Sequence, residues 1–291
     1  MWDSLVERVQ EFFFNMLVSA INSLLGTTAN IFEKSIDNVQ SGIVETPEQF
    51  SPTLVEALRL ISETAVMPVA GLILTYVFCY EIYILLTERN RGNEFDTGQV
   101  FFLIFKAAVI ILLISNSFDL TLAFFDLSQW MINQISVGSL SVTDIFQTGI
   151  TDGLEEGEIG TALTLLIVAL IAMVFAFFIA GIIYLVAWSR MITIMLYISI
   201  SPLPFATLMN RDWVGSIGQN YLKQLVALML QGFFMIICLV VYAGLIEKVS
   251  VLIIDEGATV YGILLMLVSM GVLALMLTRT HTLAKSVLGV I

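Results

Sequence analysis

Long apolar runs separated by short polar stretches dominate the chain. The longest, residues 161–188, is 28 residues without a charged side chain. As a helix it would rise about 42 Å at 1.5 Å per residue. The hydrocarbon core of a bilayer is about 30 Å and is crossed by about 20 residues. Four further runs meet that requirement, at about residues 64–86, 100–118, 225–246 and 259–278. Five transmembrane helices are therefore expected. The second run keeps its apolar character to about residue 135, interrupted by Asp119 and Asp126. A sixth stretch, residues 191–209, is apolar but carries Pro202 and Pro204. Proline removes a backbone donor and breaks a helix, and broken backbone at membrane depth survives only where protein or a water-filled cavity covers it. This stretch is expected to be a re-entrant or hairpin element facing the protein interior or a pore. A kinked ordinary span is the alternative.

The opening residues follow a different pattern. Trp2, Leu5, Val6, Val9, Phe12, Phe13, Met16, Leu17, Ile21 and Leu24 recur at the spacing of an amphipathic helix. Asp3, Glu7 and Glu11 against a single Arg8 are the reverse of a secretory signal's basic start. Surface-bound helices usually show Lys and Arg to the headgroups, so the acids favour a protein partner, with Trp2, Phe12 and Phe13 as candidate contacts. Ser51 before Pro52 fits a helix N-cap and first turn. Residues 136–160 hold Asp144, Asp152, Glu155, Glu156 and Glu158 with no base, and four glycines from Gly149 to Gly160. This acidic loop is a second candidate partner surface, through Glu155 and Glu156, or a plain solvated connector.

Composition agrees with the pattern. The chain is 58% hydrophobic and 12% charged, against about 25% charged in soluble domains. The expected fold is an all-α, polytopic helical membrane protein. It has about five transmembrane helices, the proline-broken element and the N-terminal amphipathic helix. A net charge of −12 argues against a surface that coats nucleic acid.

Lysine and arginine orient the spans, because short cytoplasmic loops are enriched in them. With residues 191–209 re-entrant, Arg89, Arg91, Arg190, Arg211, Lys223, Arg279 and Lys285 share the cytoplasmic side. Arg8, Lys34, Arg59 and Lys248 lie outside, and Lys106 is buried. Seven against four favours this arrangement. The expected layout is an extracytoplasmic region 1–62, a membrane region 63–279 and a short cytoplasmic tail 280–291. The N-terminus is outside and the C-terminus inside.

Candidate chemistry is sparse. Lys106 lies within a span, where a charge usually faces a bundle interior or cavity or snorkels to the interface. Gln231 suits an interhelical hydrogen bond. With Arg190, Pro202 and Pro204 these are the candidate conduit or helix-packing residues. Cys79 and Cys238 read as small hydrophobes within apolar runs, and His281 has no Cys or His neighbour in sequence. No phosphate-cradling Gly-rich loop or His-Glu-x-x-His motif is present. No catalytic residue, metal or cofactor is expected, and the chain reads as a non-enzyme.

The segment from Arg190 to Ile194, the Ser201-Pro202-Leu203-Pro204-Phe205-Ala206 string, Trp213, residues 215–223 and Leu230-Gln231-Gly232 together resemble the central region of the TrbL family. These are the polytopic inner-membrane subunits of conjugative type IV secretion systems, related to the sixth VirB subunit. The external N-terminus, five spans and internal C-terminus are similar to that family's topology. The short acidic loop and short tail depart from many members and resemble the compact forms of Gram-positive conjugative elements. The resemblance implies a multi-copy channel or scaffold subunit in the bacterial cytoplasmic membrane, forming a homo-oligomer in contact with lipid. Its implied partners are secretion ATPases, bitopic assembly subunits and a pilin-like subunit, with single-stranded DNA met only in transit, if at all. A small-solute transporter or ion channel, and an assembly or insertion factor for small membrane proteins, are the competing readings. A transporter should show paired broken helices in two similar halves, and only one break is evident.

Overall fold

The computed structural model describes residues 2–89, 97–135, 159–210, 214–256 and 260–289. Every regular element among them is helical. In chain order these are α1 (Trp2–Val44), α2 (Pro47–Phe50), α3 (Pro52–Ile61), a π-helical turn (Ser62–Val66) and α4 (Met67–Arg89). Then come α5 (Thr97–Ser115), α6 (Ser117–Asn133), α7 (Ile159–Ser199), α8 (Pro202–Thr207), α9 (Gly215–Glu256) and α10 (Val260–Val287). Six helical stretches are long and apolar enough to cross a membrane. Five coincide with the expected spans. The sixth is the N-terminal helix, over Leu5–Val44.

Helices reach beyond the predicted runs. The N-terminal helix extends past the amphipathic stretch that ends at Leu24 and continues to Val44, because Leu25, Ala29, Phe32, Ile36, Val39 and Ile43 extend a buried stripe along it. The helix of the third span does not end at Arg190. Nothing between Met191 and Ser199 breaks it, so it reaches Ser199 and is 41 residues long, about 61 Å. The expected span at 100–118 is α5, and the apolar character beyond it belongs to a separate helix, α6, parted from α5 at Asn116. The predicted start at Ser51 is present. The Ser51 hydroxyl accepts from Leu54 N at 3.4 Å with Pro52 in the first turn. Just upstream, Thr46 and Gln49 form a reciprocal capping box.

The chain divides into two compact units. The first comprises Met1–Ile43, Ile135–Trp188 and Phe234–Thr280. In α7 its buried positions are mostly alanine: Ala162, Ala169, Ala172, Ala176 and Ala180. Small residues at that spacing let helix backbones approach closely, which is how helices associate where lipid is as apolar as the side chains. The larger volume comes from Phe32 and Tyr242, whose rings meet edge to face at 5.9 Å. Asn38 Nδ2 donates to the Tyr184 hydroxyl at 2.8 Å. The opposite face of α7 exposes Leu170, Val174, Phe177, Phe178 and Leu185, a surface that lipid solvates and water does not.

The second unit comprises Val44–Gln134, Ser189–Phe233 and His281–Ile291. Its centre is the six-residue helix α8, which packs against α4, α5, α6 and the π-helical turn. Phe205, Ala206 and Met209 enter one core with Ala70, Leu74 and Val77 of α4, Leu103 and Ile110 of α5, and Tyr221 of α9. A second core joins Val55, Phe118, Leu122 and Phe125 to Ile194, Ile198, Leu225 and Leu228.

Candidate functional site: a buried proline break and a buried arginine

Helix α7 stops because Pro202 cannot donate to Ile198 and its ring would strike that carbonyl. The last turn tightens before it, with Ser201 N donating to Ile198 O at 3.3 Å. Pro202 then occupies the first turn of α8, where a missing N–H costs nothing. Pro202, Pro204, Phe205, Ala206, Met209 and Asn210 are all buried. The irregular backbone is therefore covered by protein.

Polar groups fasten the far end of this element. Lys106 Nζ, half-buried on α5, donates to Met209 O at 2.5 Å. Asn210 Nδ2 donates to Glu81 Oε1 of α4 at 2.9 Å. A cation and an anion on two helices thus hold adjacent residues at the exit of α8. Helix α9 closes over the other side without side-chain volume at one position. A Cβ on Gly218 would lie 2.6 Å from Pro204 O and 2.7 Å from Leu208 Cδ2. Tyr221, one turn on, stacks on Tyr197 at 5.7 Å, donates to Tyr197 O at 2.8 Å and meets Phe205 edge to face. The Tyr197 hydroxyl hydrogen-bonds Gln224.

Arg190 is 5% exposed. Its guanidinium lies on the backbone of α9, where a Cβ on Gly232 would fall 2.4 Å from Nη2 and 3.0 Å from Cζ. Nε is buried with no hydrogen-bond partner. Arg59 and Asp119 form a salt bridge at 2.5 Å, with Arg59 also over the Phe118 ring at 4.7 Å. Gln231, also buried, has Oε1 3.3 Å from His281 Nδ1.

Of the residues singled out in the sequence, Lys106, Pro202 and Pro204 share one site around α8. Arg190 lies on Gly232, whereas Gln231, the residue before it, has its amide oxygen on His281. Phe12 and Phe13 are exposed at 68% and 49% and pack edge to face on each other at 6.2 Å. Trp2 is in α1, and Glu155 and Glu156 lie outside the described residues. Sequence reasoning missed the Arg59–Asp119 pair, the His281–Gln231 contact, Asn210 and the close-approach glycines. The signal for Gly218 and Gly232 was their place on a helix that had to pass a proline break and a buried arginine. Among the described residues no three or more His, Cys, Asp or Glu side chains gather to hold a metal.

Residues 32–202 match the family model described as TrbL/VirB6 plasmid conjugal transfer like protein. That is more than half of the 291 residues. The chain belongs to the TrbL/VirB6 family. It is accordingly a component of conjugal transfer, a type IV secretion process, and a multi-pass membrane protein with six apolar helices of sufficient length. The family's members are structural components of conjugation machinery, which places other subunits of such a machine among this chain's neighbours. No curated protein and no solved structure matches the chain. The family match ends at Pro202, the first residue of α8, so Pro204, Gly218 and Gln231 lie beyond it. Of the resemblance seen in the sequence, the matched segment includes Arg190 to Pro202 and not the remainder.

Proposed function

We propose that this TrbL/VirB6 protein is a non-enzymatic channel or scaffold subunit at the membrane base of a conjugative DNA-transfer machine, present in several copies in the bacterial cytoplasmic membrane. The observation that carries the reading is the family match over residues 32–202 in a chain built almost wholly of long apolar helices. Its polar groups support the same role. Lys106, Glu81 and Asn210 hold backbone and one another, which is the work of fixing a framework. Secretion ATPases, bitopic assembly subunits and a pilin-like subunit are the partners this role requires. The exposed apolar residues of the N-terminal turns and the acidic loop 136–160 are the surfaces offered to them. The division of Lys and Arg along the chain supports an external N-terminus and an internal C-terminus, with α1 lying outside.

Purification from donor cells tests both parts. A tagged chain is expected to run far above 32.2 kDa and to bring the machine's ATPase with it. A strict monomer with saturable uptake of a small solute would overturn the assignment in favour of a transporter. In the same cells, a cysteine at Thr27 is expected to react with an impermeant maleimide from outside. One at Ser286 should react only after permeabilisation. Both are measured in a background with Cys79 and Cys238 replaced by serine. Labelling of Thr27→Cys only from the cytoplasm would make α1 a sixth span or reverse the orientation.

A further inference from the structure

We propose that Arg190 is a binding point for a phosphate group, supplied by an acidic phospholipid headgroup or by free phosphate. Arg190 is 5% exposed, its Nε has no acceptor, and no described carboxylate forms an ion pair with it. A buried, uncompensated charge is costly, and proteins retain one where something pairs with it. The planar guanidinium presents parallel N–H donors that match two oxygens of a phosphate. Gly232 has no side chain, and the guanidinium lies directly against the backbone of α9.

Depth selects the anion. Arg190 lies two residues past a charge-free run of 28 residues that includes Tyr184 and Trp188 near its end. Such a run exceeds the hydrocarbon thickness, and Trp and Tyr mark the level of the headgroups. Phosphodiester is the abundant anion at that level. Basic positions between membrane helices are known to take anionic headgroups.

The test uses the full chain in detergent, with phosphatidylglycerol, phosphatidylcholine or inorganic phosphate added. Native mass spectrometry reads the lipid retained, and thermal melting reads the response. Wild type is expected to retain phosphatidylglycerol about tenfold better than Arg190→Gln, the loss of roughly one charged hydrogen bond. Arg190→Lys, which keeps charge but not the fork, should fall between them. Without added anion, Arg190→Gln should melt no lower than wild type, because it removes an unpaired buried charge. With phosphatidylglycerol the order should reverse. Gly232→Ala, which pushes a methyl against the guanidinium while keeping its charge, should also weaken retention, so a poorly folding Arg190 variant does not end the test. Stabilisation of wild type but not Arg190→Gln by inorganic phosphate alone upholds the site and names free phosphate as the source. Equal lipid retention and equal phosphate response in wild type, Arg190→Gln and Gly232→Ala overturn the proposal. So does an Arg190 that responds only when another protein subunit is added, which would assign its partner as a carboxylate.

Discussion

Gly218→Ala should destabilise the protein, and Gly244→Ala on the same helix should not. In isolation the two changes are alike. Alanine is a better helix former than glycine by about 1 kcal/mol, so α9 alone would gain at both sites. Their surroundings differ. Nothing lies within 4 Å of a Cβ at Gly244, whereas at Gly218 it would sit 2.6 Å from the carbonyl oxygen of Pro204. That oxygen belongs to backbone, and α8 is buried against α4, α5 and α6, so it has little room to retreat. Overpacking of this kind costs about 1–3 kcal/mol and occasionally more, which exceeds the helix gain. A net loss of about 1–2 kcal/mol is expected for Gly218→Ala. For Gly244→Ala the change should run from zero to a gain of about 1 kcal/mol. Thermal melting of the two variants in one detergent decides the matter. Equal gains at both positions would mean that α9 does not close on the proline element.

Lys106→Met should loosen the same element from the other side. Methionine keeps much of the length of the lysine stem but cannot donate, so Met209 O loses a charge-assisted hydrogen bond of about 1.5–3 kcal/mol. Part of that loss is offset, because lysine no longer has to be held out of water. The side chain is only half-buried, so the offset is partial and the net sign is destabilising. Glu81→Gln should cost less than Lys106→Met, since glutamine retains an oxygen that accepts from Asn210 Nδ2. Glu81→Leu should cost more than Glu81→Gln. Melting temperatures in the order wild type, Glu81→Gln, then Lys106→Met would support the fastening of α8 by these side chains. A Lys106→Met protein as stable as wild type would show that Lys106 merely snorkels past the element.

The apolar spans were legible because charge is excluded from them so strictly. The stretch 161–188 admits one interpretation, and α7 contains it. The ends of the helices were harder. Thr27, Asn30, Lys34 and Asn38 gave the second half of α1 a polar look, and only the one-sided burial of Leu25, Ala29, Phe32 and Ile36 keeps it helical within its unit. Arg190 read as one of the cytoplasmic charges because charge normally marks the edge of lipid. Its side chain is buried within the protein, and the helix continues until Pro202 forbids the next bond. Partners distant in sequence were not legible. Lys106 and Met209 are 103 residues apart and Glu81 and Asn210 are 129 apart. No local spacing signals such pairs. Gly232 carried no visible meaning until a guanidinium was found lying on it.

The most direct test of the proposed role is the frequency of plasmid or element transfer from a donor carrying an in-frame deletion of this chain. Transfer is expected to fall to background and to return with the wild-type chain. Lys106→Met, expressed at the wild-type level in the membrane, should restore only part of it, because the framework around α8 is loosened. Undiminished transfer from the deletion strain would contradict the account.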